Sequence, residues 1–233
     1  MKYNSRAIAL TYLKYSESSI IVKIFTEEHG LQTFIVKGVR ANKSKKKLGL
    51  FQPLQLSQIN ASLIVKNKLQ YINEIHLADS KLAEKISIKN NFIVLFIAEV
   101  LSKSLQENEK DKKLFQYIWS IKVFLSSKRK VNTNYSLLFL LKLSKFYGFY
   151  PSTDNLLCHY FDLEKGEFVI SKGVFTLTAE NSNYLKSLLT ETNCLIPYQN
   201  RNELLKSLIE YYRLQNHELK NITSHLIIES LRT

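Results

Sequence analysis

The chain has 233 residues, with 33 Lys plus Arg against 20 Asp plus Glu, a formal net charge of +13. With 45% hydrophobic and 23% charged residues it has the composition of a folded protein able to bury roughly 70 to 75% of its unfolded surface, which excludes wholesale disorder. The longest apolar run, Phe92 to Ala98, stops at Glu99, far short of the about 18 to 20 residues a membrane span needs.

The first 80 residues read as strands. Ser5 to Lys14 and Ser18 to Thr26 are rich in β-branched and aromatic residues. In the second, Ile20, Val22, Ile24 and Thr26 share one face and Ile21, Lys23 and Phe25 the other. Glu27-Glu28-His29-Gly30 supplies the turn, with Gly30 able to take a positive φ. A third strand covers Leu31 to Lys37, and two more are expected at Phe51 to Ile59 and Ser62 to Ile75. Five strands in about 75 residues imply a small closed barrel, because closure removes exposed sheet edges.

Between the third and fourth strands lies the sharpest charge feature of the chain. From Lys37 to Lys47 there are six basic residues, Lys37, Arg40, Lys43, Lys45, Lys46 and Lys47, and no acidic one. Gly38, Asn42, Ser44 and Gly49 mark the stretch as a loop. Residues 1 to 80 hold 12 basic and five acidic side chains, a net of +7, so charge density is about twice as high there as in the remaining 153 residues. The kind of charge also matters: 27 of the basic residues are Lys and six are Arg. Lysine is a mobile point charge, whereas arginine's planar fork suits bidentate reading of bases. A polyanion bound for its phosphates fits this bias.

After Asp79 the apolar period changes from 2 to about 3.6. Leu82, Ile86, Phe92, Ile93, Phe96, Ile97 and Val100 outline one helical region, with a break expected near Asn90-Asn91. Leu114, Tyr117, Ile118, Ile121, Phe124 and Leu125 form a one-sided stripe, with Lys112, Lys113, Gln116 and Lys122 expected to face away. A second basic run, Lys128-Arg129-Lys130, follows; such a run also suits a helix C-terminus, where cations offset the helix dipole. Tyr135 to Phe146 is apolar nearly all round and predicts a central buried helix, stopped by Gly148 and Pro151. About 152–178 the pattern is irregular, with a short hairpin expected at Tyr160-Phe161-Asp162 and Gly166 to Ile170. Helix returns at Glu180 to Leu189 and from Glu203, where Asn200 and Glu203 have capping-box spacing.

Enzyme signatures are mostly missing. The chain has no GxxxxGK[ST] loop, GxGxxG, HExxH or GxSxG, and its six glycines make a backbone phosphate cradle improbable on composition. No catalytic residue is assigned, and no cofactor is expected. Cys158 and Cys194 stand 36 residues apart without a CxxC knuckle, and the adjacent Cys158 and His159 would point to opposite sides of an extended segment, so no metal site is expected. Asp162, Glu164 and Glu167 are more readily a solvated hairpin than a Mg²⁺ site. Two cysteines and no apolar leader at the N-terminus point to a cytoplasmic protein with reduced thiols. Tyr12, Tyr15, Phe25, Phe34 and Phe51 lie in or beside the strands, either as core or as surfaces on which bases stack.

Several short motifs, in order and spacing, carry a family resemblance. They are Ala7-Ile8-Ala9-Leu10, Tyr15-Ser16-Glu17-Ser18, Phe25-Thr26-Glu27-Glu28-His29-Gly30, Val36-Lys37-Gly38-Val39-Arg40 and Leu50-Phe51-Gln52-Pro53-Leu54. Together with Gly148-Phe149-Tyr150-Pro151, Tyr160-Phe161-Asp162-Leu163 and Tyr211-Tyr212-Arg213-Leu214, the chain resembles the bacterial DNA repair protein RecO family, in a branch known mainly from Bacteroidetes-like bacteria. Many members carry a four-cysteine zinc module after the G-x-x-P segment. Only Cys158 falls near one of those positions here, so the zinc ion is not carried over.

The resemblance implies an α+β chain: an N-terminal five-stranded OB-fold β-barrel over 1–79 and an α-helical domain over 80–233, with the irregular hairpin insertion at about 152–178. It also implies a non-enzymatic recombination mediator. Such a protein binds single- and double-stranded DNA, anneals complementary strands and engages the acidic C-terminal tail of single-stranded DNA-binding protein. With RecR it helps load RecA. On this reading Lys37, Arg40, Lys43, Lys45, Lys46 and Lys47 form the phosphate-binding patch, joined by Lys14 and Lys23 if their faces turn outward, while Lys128, Arg129 and Lys130 rim a site for the protein tail. The rival readings are a metal-dependent nuclease and a general single-stranded DNA- or RNA-binding OB protein. No membrane partner is expected.

Overall fold

A computed structural model describes residues 1–39, 45–64, 69–79, 87–127, 129–191, 194–215, 219 and 222–226, with the backbone alone at Lys45, Lys46 and Lys89. Two compact units divide the chain, Met1–Arg129 and Lys130–Thr233. Among the described residues no helix is long and apolar enough to cross a membrane.

The first unit holds β1 (Lys2–Lys14), β2 (Ile20–Thr26), β3 (Gly30–Val36), a one-turn helix α1 (Lys45–Leu48), β4 (Leu56–Ser62) and β5 (Gln70–Leu77), then α2 (Ile88–Ser104) and α3 (Lys112–Ser126). The strands close into a barrel in the order β1-β2-β3-β5-β4, antiparallel throughout except for the β3–β5 pair. Alternation in β2 does what its pattern requires: Ile20, Val22 and Ile24 enter the barrel core with Tyr3, Ala7, Phe34, Ile59 and Ala61. Phe25, on the outer face, is just as buried, because Phe115 of α3 packs against it with ring centroids 5.4 Å apart. Arg6 ties the same helix down. Its guanidinium forms paired hydrogen bonds of 2.8 and 2.6 Å to Glu27 and lies 4.9 Å from the Trp119 ring centre. That partner holds the Glu27 carboxyl below its usual range.

Only Phe34 and Ile35 of β3 pair with β5. The β3 edge from Gly30 to Thr33 is met by the segment after α2. Leu31 bridges Glu107, the Asn108 amide donates to the Leu31 carbonyl at 3.0 Å, and Gln32 Nε2 donates to Asn108 Oδ1 at 2.9 Å. Gly30 is required there: its φ is +65°, and a Cβ would lie 2.0 Å from the Glu109 carbonyl oxygen.

Several boundaries differ from the sequence expectation. The fourth strand begins at Leu56, not Phe51, which closes a short 3-10 turn, Gly49–Phe51. Pro53 lacks an amide hydrogen and Leu54 has φ +53°, so ladder pairing starts only after them. The fifth strand is Gln70–Leu77, with Ser62 ending β4 instead of opening β5. No break occurs at Asn90-Asn91: the Ser87 hydroxyl caps α2 through the Asn90 amide at 3.2 Å, and Asn90 Nδ2 reaches the Leu125 carbonyl. Leu82 and Ile86 lie outside the described residues. On α3 the buried face is Leu114, Phe115, Ile118, Ile121, Lys122 and Leu125, so Lys122 faces inward and Val123 takes the exposed position. Packing of Phe115 on Phe25 turns the helix toward that flank.

The second unit contains α4 (Tyr135–Phe146), the hairpin β6 (Tyr160–Asp162) and β7 (Glu167–Val169), α5 (Ala179–Thr190) and α6 (Tyr198–Leu214). Helix α4 is central and ends as its sequence requires: Gly148 has φ +82° and the Phe149 amide donates back to the Ser144 carbonyl, a Schellman closure. Tyr212 and Tyr211 of α6 donate to the Leu140 and Phe149 carbonyls, both at 2.5 Å. The hairpin is pinned by Phe161 and Phe168, 5.0 Å apart, with Phe161 5.7 Å from Tyr211. Helix α6 starts at Tyr198, five residues before Glu203, so no capping box forms. Asn200 and Glu203 lie within the helix, and both bond Asn181 of α5.

Candidate nucleic-acid interface

The basic stretch is held at both ends by apolar anchors. Lys37 leaves β3 exposed, Gly38 turns the chain at φ +75°, and Val39 drops into the barrel core. On the far side Leu48 and Leu50 pack against that core and Phe51 is buried in it. Between the anchors the charges are carried on a span that includes α1, so the segment expected as loop throughout contains one helical turn at Lys45–Leu48. Lys47 is exposed. Arg40 and Lys43 lie outside the described residues, as do the side chains of Lys45 and Lys46.

Lys14 ends β1 opposite Ile20, and Ile20 in turn stands opposite Val36. Two ladder spacings, about 10 Å, therefore separate Lys14 from the β3 end that carries Lys37. Both are exposed at the same end of the barrel. Lys23 does turn to the outer face, but α2 covers it: Nζ donates to the Ser102 carbonyl at 3.1 Å, placing the cation at the carboxyl end of that helix. Arg129 and Lys130 are exposed beyond the end of α3, and Lys128 lies outside the described residues. Arg129 closes the first unit and Lys130 opens the second.

Phe25, Phe34 and Phe51 are buried, and Tyr12 packs against the barrel core. Of the aromatics noted in the strands, Tyr15 alone is broadly exposed, at 60%. Tyr71 on β5, 43% exposed, lies inside the strand expected at Ser62 to Ile75 but is not among the aromatics the sequence reading singles out. The alternation inside β5 itself, with Gln70 and Ile72 inward and Tyr71 and Asn73 outward, was the available signal.

Among the described residues no three His, Cys, Asp or Glu side chains gather where they could hold a metal ion. Asp162 instead stabilises the β6–β7 turn, its Oδ1 accepting from the Glu164 and Lys165 amides at 2.9 and 3.1 Å. Cys158 and Cys194 are both free thiols, and the Asn134 side chain donates to the Cys194 backbone carbonyl at 2.8 Å. The residues present do not fit the four-cysteine zinc module.

The family description "Recombination protein O N terminal" matches residues 1–81, and "Recombination protein O C terminal" matches 87–221. The chain belongs to the RecO family. Similar proteins include the DNA repair protein RecO of Flavobacterium psychrophilum, 32% identical with 91% of each chain covered, and that of Flavobacterium johnsoniae, 31% identical with 91% covered. The RecO of Christiangramia forsetii is 32% identical over 92% of each chain. RecO membership makes this a DNA repair protein, a recombination mediator and not an enzyme, which sets aside the nuclease reading.

Proposed function

We propose that this RecO protein binds single- and double-stranded DNA through the lysine-rich end of its barrel and anneals complementary strands. The supporting observation is the anchored basic stretch. Val39 and Phe51 fix its two ends in the core, Lys37 and Lys14 are exposed at one end of the barrel, Lys47 is exposed on the stretch itself, and Arg40, Lys43, Lys45 and Lys46 add charge along the same stretch of sequence. Neutralising phosphates on two strands weakens their mutual repulsion, which allows pairing without nucleotide hydrolysis. Lys23, bonded to α2, contributes at most its remaining ammonium protons.

The same reading, supported by family membership, places the protein in the cytoplasm with RecR as a partner, helping RecA onto gapped DNA. The tail of single-stranded DNA-binding protein is a second acidic partner, with Lys128, Arg129 and Lys130 as its rim. One assay tests these parts together: annealing of complementary strands coated either with intact single-stranded DNA-binding protein or with a form lacking its acidic tail. We expect faster annealing on strands coated with the intact protein and loss of that acceleration without the tail. Equal rates with and without the RecO protein on bare strands would refute the annealing assignment.

A further inference from the structure

The barrel's outer surface is used unevenly. Near Phe25 and Lys23 it is covered by α3 and α2. One residue level further toward the lysine-rich end, the ladder registers align Leu13 with Ile21, Ile21 with Ile35, and Ile35 with Tyr71. Directly paired residues point to the same side of a sheet, and the neighbours Tyr12, Val22, Phe34 and Ile72 pack into the barrel core, so these four face outward. Leu13 is 69% exposed and Tyr71 43%, with Ile21 and Ile35 half-buried between them. The row crosses four strands, about 14 Å at ordinary strand spacing. It continues through Ser62, opposite Tyr71, to Lys2, opposite Ser62.

Resting on the reading that this unit binds DNA, we propose that Leu13, Ile21, Ile35 and Tyr71 form a platform on which bases of a single strand stack. Charge argues for a nucleic acid as the occupant: exposed Lys14 adjoins Leu13, exposed Lys37 follows Ile35 by two positions, and Lys2 stands at the other end of the row. A four-stranded face with apolar and aromatic side chains accommodates two or three bases, and stacking is indifferent to base identity. A duplex keeps its base faces within its own stack, so the platform engages single strands only, whereas the lysines serve either form. Stacking also occupies the faces and leaves the pairing edges open to a complementary strand.

The test is Tyr71→Ala beside Tyr71→Phe in the full chain. Tyr71→Ala should lower affinity for a mixed-sequence single strand about five- to a hundredfold, with an unchanged salt slope and unchanged duplex affinity, while Tyr71→Phe keeps the affinity of the parent. In the unsubstituted protein an iododeoxyuridine-containing strand should photo-crosslink at Tyr71. Parent-like single-strand affinity of Tyr71→Ala with a steep salt slope would overturn the platform and leave the lysine patch standing. Equal losses on single and double strands, or an effect confined to binding of a RecR protein, would also overturn it. No DNA binding by the unsubstituted protein would remove the underlying reading as well.

Discussion

Changing Lys45, Lys46 and Lys47 together to Glu should weaken single-strand binding about 100-fold at 0.1 M salt and reduce the slope of log affinity against log salt by about 2. Each phosphate contact on a single strand contributes about 0.7 to that slope through counterion release, so three contacts give both figures. The anchors of the segment, Val39, Leu48, Leu50 and Phe51, are untouched, and the core they enter does not depend on these charges. The fold should therefore persist, as circular dichroism and the unfolding midpoint would verify. Fluorescence anisotropy with a labelled strand over a salt series measures both quantities at once. A folded triple variant with parent affinity and slope would remove this stretch as the phosphate site.

Lys122→Met should stabilise the protein by about 1 to 3 kcal/mol at pH 7, because a buried cation is replaced by an apolar side chain of similar length. Lys122 is only 5% exposed, and burial pushes its ammonium down from 10.5 to about 8. The sign follows from linkage. Below pH 8 the amine is charged in both folded and unfolded chains and the full desolvation cost is present. Between about 8 and 10.5 the folded protein releases the proton while the unfolded chain retains it, so the parent gains stability as pH rises. The advantage of Lys122→Met should shrink across that window. Urea unfolding of both proteins at pH 7 and pH 10 measures it, and a constant difference would mean that the amine is hydrated in the native state.

The elements whose ends are set locally were legible in the sequence. Gly148 closing α4 and the alternation of β2 each depend on residues within a few positions of one another. What the sequence hid depends on partners far along the chain. The inward turn of Lys122 follows from Phe115 meeting Phe25, 90 residues away, and the covering of Lys23 follows from the position of Ser102. The start of β4 differs from the sequence expectation because a non-glycine residue, Leu54, takes positive φ, a conformation that side-chain pattern does not announce. For the interface, the clustering of lysines was evident, since charge density is a linear property. The Leu13 to Tyr71 row was not, because it exists only once four strands are set in register.

The Glu107 to Glu109 segment also bears on where this polypeptide can be cut. A piece ending at Asp79 retains all five strands but loses the cover over β3 and the helix whose Phe115 packs on Phe25. Its bare amide edge beside an oily flank would invite intermolecular strand pairing. Such a piece should elute as aggregate in size-exclusion chromatography, whereas one ending at Arg129 should run as a discrete species.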